Sequence, residues 1–140
     1  SGPALMGTLF MIGLSTIMEQ TGMTQALASE LGTLTGKLYP LFSPLIGVVG
    51  SFATGSNVNS NVLFGTLQKG VAVLVGVSPV VVLAAQTVGG GMGSMIAPAK
   101  LAVGTSTSEA KGFEGKVLRL TLPVSLGIAV VLGLVALLIG

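Results

Sequence analysis

The sequence predicts an all-α integral membrane protein: transmembrane helices, a re-entrant helical hairpin and one broken (discontinuous) helix. Three observations predict it. Charged residues make up 7% of the 140, hydrophobic residues 51%, and the mean hydropathy is +0.96. A soluble domain carries about 25% charge, too much for this chain to match. Second, the ten charged residues leave four charge-free runs, Ser1–Met18, Leu38–Gln68, Gly70–Ala99 and Leu120–Gly140; one helical crossing needs about 20 apolar residues. Third, the two middle runs are each about 30 residues, or about 45 Å of helix. That overfills one crossing, falls short of two, and both runs contain polar or helix-breaking clusters.

The elements follow in order. Residues 4–20 form the first transmembrane helix. Residues 22–36 are different: Met23, Leu27, Leu31 and Leu34 fall on one helical face, with Thr24, Gln25, Ser29 and Glu30 largely elsewhere. That pattern predicts an amphipathic helix along the membrane interface, with Gly36 as its C-cap. Residues 40–76 form the re-entrant hairpin. Pro40 to about Ala53 enters, the polar cluster Thr54–Asn61 turns the chain near mid-depth, and Asn61 to about Val75 returns. Non-helical backbone at that depth is tolerated only where protein buries it or it lines a cavity.

Gly76-Val77-Ser78-Pro79 is a short turn, with Pro79 suited to a first helical position. Residues 79–105 form the broken transmembrane helix: a half-helix to about Val88, an unwound stretch Gly89–Ala97, and a second half-helix from Pro98. A polar loop, Thr105–Leu120, leads to the last transmembrane helix, 121–139. Lys111, Lys116 and Arg119 in that loop outnumber Lys37 and Lys69 opposite. The positive-inside rule then puts the loop in the cytoplasm and opens the hairpin outward. The start Ser1-Gly2-Pro3 lacks a basic n-region, so it reads as a chain cut from something longer, or a processed one.

Chemistry is narrowed as much by what is missing. Cys and His are both zero, which removes disulfides, thiol catalysis and the commonest metal ligand, so no metal or cofactor is expected. No nucleophile–base pair supports an enzyme. The six basic residues form no patch and the five Phe and one Tyr no stacking pattern, so nucleic acid is not expected as a partner. Membrane lipid is.

Two clusters remain as candidate binding elements. Ser56, Asn57, Asn59, Ser60 and Asn61 form the hairpin tip, with Ser60 or Asn61 as the N-cap of the outgoing helix. A half-helix N-terminus inside a membrane offers free N–H groups and a partial positive charge, suited to a carboxylate. The alternative is a polar turn that packs helices through interhelical hydrogen bonds. The second cluster is Gln86–Ser94, where Gly89, Gly90, Gly91 and Gly93 end a helix and free its last carbonyls for a cation or a hydroxyl. Its alternative is close helix packing through small residues. Lys100, after Pro98, either pairs with a substrate carboxylate or snorkels to the interface. Glu19, Glu30, Glu109 and Glu114 read as solvated, and no carboxylate occurs from Leu31 to Ser108.

The stretch Gly55-Ser56-Asn57-Val58-Asn59-Ser60-Asn61-Val62-Leu63-Phe64-Gly65-Thr66-Leu67-Gln68 resembles the signature of the lactate permease family. So does Ala84-Ala85-Gln86-Thr87-Val88-Gly89-Gly90-Gly91-Met92-Gly93-Ser94-Met95-Ile96-Ala97-Pro98, and, more weakly, Gly22-Met23-Thr24. The resemblance implies L-lactate and glycolate permeases of the bacterial inner (plasma) membrane, multi-pass and regarded as proton symporters. Members are much longer, so the chain resembles their C-terminal part. The fold also resembles the ion-transporter superfamily of dicarboxylate carriers, in which two inverted repeats each supply a re-entrant hairpin with a Ser-Asn tip and a broken helix.

Carried over, the tip maps to Ser56, Asn57, Ser60 and Asn61, and the connector to Gly90, Gly91, Ser94, Ala97 and Pro98. Ala99-Lys100 departs from the small or neutral polar residues expected there, and a fixed positive charge favours a stronger anion. The resemblance thus implies one half of an inverted-repeat transporter, with a small carboxylate and protons as ligands and a missing N-terminal half as partner; a homodimer stays open. Two alternatives stand beside it: a sodium-coupled carboxylate carrier or antiporter of the same superfamily, and a non-transporting membrane scaffold or subunit.

Overall fold

The computed structural model describes residues 2–108 and 110–140, and over these the fold is helical without strands. Glu109, read as a loop carboxylate, lies outside them. The elements are α1 (Gly2–Gln20), α2 (Met23–Thr35), a 3-10 turn (Gly36–Leu38), α3 (Tyr39–Thr54), α4 (Asn57–Val75), α5 (Pro79–Met95), α6 (Pro98–Thr107) and α7 (Glu114–Ile139). Among the described residues, α7 alone is long and apolar enough to cross a membrane as a single helix. The α5–α6 pair passes the same test jointly, bent by 44° at its break.

Helix α3 is the centre. It runs antiparallel to α4 and α7 and parallel to α5, as the residues that meet across each seam show. Tyr39, Leu67, Val71, Ala72 and Val82 pack one side of the core, and Val48, Ile96 and Ala129 the other. The turns sit where the backbone demands glycine. Gly55 (φ 71°) and Gly76 (φ 72°) end α3 and α4 in the left-handed region that a side chain disfavours. Pro79 opens α5 behind the N-cap Ser78, as its fixed φ suits.

Two expectations are corrected. The glycine run Gly89–Gly93 is not unwound: α5 continues through it to Met95. Gly89 and Gly93 face α3, where a Cβ would strike the Pro44 and Val48 carbonyls, and Gly90 faces the α3–α4 seam, where it would strike the Asn57 carboxamide. Gly47 answers from α3, where a Cβ would strike the Gln86 carbonyl. The alternative of close packing through small residues is the one realised. Each helical glycine costs about 0.8–1.0 kcal/mol against alanine, offset here by dispersion between two backbones in contact. The break falls later, at Ile96-Ala97, where Ala97 is extended (φ −61°, ψ 132°) ahead of Pro98, as proline imposes on its predecessor.

Second, the polar loop Thr105–Leu120 shrinks to a connection between Thr107 and Glu114, because α7 starts well before residue 121. The Thr105 hydroxyl donates to Glu114 Oε1 at 2.6 Å and ties the two helix ends together. Helix α2 packs on α4 through its small residues. Met23, Leu27 and Leu34 are exposed, while Thr24 and Ala28 are buried. Ala28 fits against Gly70 of α4, where an added Cβ would touch it at 3.5 Å, and Gly32 lies as closely over Val75. Small residues on both helices allow this approach; Leu31 packs against the same core, and Met23, Leu27 and Leu34 stay outward.

Candidate functional site at the hairpin tip

The tip is built by α3 ending and α4 beginning within two residues. Gly55 turns the chain, and Ser56, extended (φ −145°, ψ 125°), is the N-cap of α4; its Oγ accepts the Asn59 N–H at 3.3 Å. Ser60 and Asn61, the expected caps, lie one turn inside the helix. The left-handed glycine decides this, because it starts α4 at once. The Thr54 hydroxyl braces the turn, donating to the Gly50 and Ser56 carbonyls at 2.8 and 3.0 Å. Ser56→Ala should destabilise the folded protein by about 1 kcal/mol, seen as a lower melting temperature in detergent. No change would mean that Ser56 does not cap.

Two ladders of carboxamides rise from this turn. Asn57 Nδ2 donates to the Thr87 carbonyl of α5 at 3.0 Å, and Asn61 Nδ2 to Asn57 Oδ1 at 3.3 Å. Deeper in, Gln68 Nε2 donates to Gln86 Oε1 at 2.6 Å and to the Ser43 carbonyl at 3.2 Å. Gln86 Nε2 donates to Ser60 Oγ at 3.2 Å, and the Ser60 hydroxyl to the Gly47 carbonyl at 3.4 Å. Gln68, Gln86 and Ser60 are 0, 1 and 0% exposed. Asn61 Oδ1, Gln68 Oε1 and Ser51 Oγ are buried acceptors without a protein donor among the described residues.

The structure thus gathers Ser56, Asn57, Ser60, Asn61 and Gly90 around one seam. Ser94 and Lys100 meet across the α5–α6 break, where Lys100 Nζ donates to the Ser94 hydroxyl. The start of α6 lies beside the tip: a Cβ at Gly55 would be 4.0 Å from Ala99 Cβ. Pro98 is exposed and supplies only the α6 start. Asn59 points elsewhere, accepting from Thr8 of α1 at 3.2 Å. Gly91 faces open space. Sequence reasoning gave no role to Gln68 or to Gln86, although Gln86 opens the second cluster. The available signal was two large uncharged amides within otherwise apolar stretches, which at such depth must find partners.

The site therefore presents the first turn of α4, with its partial positive charge, beside the start of α6 and one lysine. Such an arrangement suits an anion. A family model described as L-lactate permease matches residues 2–140.

The chain belongs to the L-lactate permease family.

Among relatives, the L-lactate permease of Halalkalibacterium halodurans is 36% identical over 119 residues, which are 85% of this chain and 22% of that protein. The L-lactate permease of Bacillus subtilis is 39% identical over 115 residues, 82% of this chain and 20% of the relative. Glycolate permease GlcA of Escherichia coli is 40% identical over 122 residues, 87% and 22%. The chain spans about a fifth of the length of these curated relatives. They are permeases rather than enzymes, and membership of the L-lactate permease family makes this a membrane protein. No solved structure matches.

Proposed function

We propose that this chain is the C-terminal repeat of a secondary transporter for small 2-hydroxy monocarboxylates, L-lactate and glycolate, driven by co-transported protons. The carrying observation is the Ser56-capped start of α4 set beside the α5–α6 break, with Lys100 on Ser94, in an L-lactate permease family chain. The relatives' names supply the substrates. In this reading α3 and α4 are the re-entrant hairpin: at 16 residues α3 is about 24 Å long, short of a core of about 30 Å. The α5–α6 pair is the broken span, while α7 is a lipid-facing crossing.

The substrate carboxylate then takes the free N–H groups at the start of α4 and the Lys100 charge. Asn57 and Asn61 offer the amides that orient its hydroxyl. One repeat supplies half of such a site; an inverted N-terminal half of the full-length transporter completes it and alternates access between the two sides.

The test is uptake of labelled L-lactate and glycolate by cells making the full-length protein, with and without Asn57→Ala, its membrane level followed in parallel. Loss of uptake by about tenfold or more at normal level is expected, since a polar group of the proposed site is removed. Unchanged uptake would reduce the tip to a packing turn. Uptake that follows a sodium gradient and ignores a pH gradient would replace the proton as coupling ion.

A further inference from the structure

Gln86 is a buried polar side chain of α5 with two hydrogen bonds to α4. Its Oε1 takes the Gln68 amide, its Nε2 holds Ser60 in the first turn and a half of α4, and its own backbone carbonyl lies where a Cβ on Gly47 would be. The next residue's carbonyl, that of Thr87, receives Asn57. Two consecutive residues of α5 therefore hold two successive turns of α4, one through a side chain and one through the backbone. Ser60 itself is fully buried, so it touches no substrate.

We propose that Gln86 is a positioning residue for the substrate site: through Ser60 it sets the register of the α4 start against α5, and so the place of the Asn57 carboxamide and the free N–H groups. This rests on the transport reading above. The polarity of the chain of bonds supports it. Gln68 Nε2 is committed to the Ser43 carbonyl, an acceptor that cannot reverse. Gln86 must therefore turn its oxygen to Gln68 and its Nε2 to Ser60. One orientation of the amide is selected, and with it one position of the α4 turn. The bond from Gln86 thus specifies geometry as well as adding stability.

The test is transport kinetics of the full-length protein, scored on protein that reaches the membrane. Gln86→Met, of similar length and without the amide, should raise KM for L-lactate about tenfold, because a small misplacement of binding groups is costly. Ser60→Ala should raise KM in the same direction, and the double variant should show no more than the larger single effect. Ser43→Ala removes a buried bond of 2.6 Å to the Val82 carbonyl in the same seam without touching Ser60. It should lower the melting temperature and leave KM unchanged.

An unchanged KM in Gln86→Met with only a lower melting temperature would overturn the proposal, as would additive KM effects in the double variant. If Gln86→Met fails to reach the membrane, Ser60→Ala decides by itself: an unchanged KM rejects the positioning role. Asn57→Ala separates the two levels of inference. Full uptake in that variant removes the transport site from the tip, whereas lost uptake beside a normal KM in Gln86→Met removes only the role of Gln86.

Discussion

Gly93→Val is expected to remove most of the folded protein from the membrane, whereas Gly91→Ala should leave its level unchanged or raise it. The two residues are neighbours in one helical run and differ only in what they face. A Cβ at position 93 meets the Val48 carbonyl, its carbon and its Cα, all backbone, while one at position 91 meets nothing within 4 Å. A side-chain tip can move aside, but a helix backbone in the middle of the fold cannot. Overpacking of this kind costs about 3 kcal/mol or more, a large part of the stability of an ordinary domain. Gly91→Ala instead gains up to about 1 kcal/mol of helix propensity. The readouts are the amount of monodisperse protein after extraction and its melting temperature. Equal losses at both positions would show that the run is a flexible connector, and the packed seam would be wrong.

The second large effect is expected at Lys100. In the proposed site its ammonium group supplies a full positive charge at the α5–α6 break, beside the hairpin tip. A hydrogen bond to a charged group is worth about 1.5–3 kcal/mol. Lys100→Met should therefore raise KM for L-lactate roughly ten- to hundredfold, with the membrane level unchanged, because the side chain is exposed. Lys100→Arg keeps the charge and should keep most of the uptake. The competing role is anchoring at the interface, with the ammonium group among lipid headgroups. Its bond to Ser94 turns it toward the break instead. Normal uptake in Lys100→Met would assign it to the interface.

Turns were legible in the sequence wherever one residue type forces one backbone conformation. Gly36, the Gly76–Pro79 turn and Pro98 each mark an element end within a residue or two. The polar tip was legible as a turn, but its cap was not. Five Ser and Asn residues compete for that place, and the choice of Ser56 depends on Gly55 being left-handed, a matter of conformation. The glycine run was misread for a related reason. Glycine serves equally as a helix end and as a place where two backbones touch, and the residue by itself does not choose. The choice comes from α3, where Gly47 is placed to receive α5. That partner lies some forty residues away in sequence, and nothing local announces it. The amides of Gln68 and Gln86 have the same character: each looks idle until the other is beside it.

The ladders of the seam have one more property. They consist of carboxamides, hydroxyls and backbone carbonyls, none of which gains or loses a proton in the physiological pH range, and no carboxylate lies between Leu31 and Ser108. Acidifying one side of the membrane therefore leaves the hairpin and α5 in the same bonded arrangement as alkalinising it. If this block forms the substrate site, its shape is blind to the driving gradient. A coupled proton must then travel on the cargo's own carboxyl group or be sensed outside this block, and a titration followed within these helices should be flat.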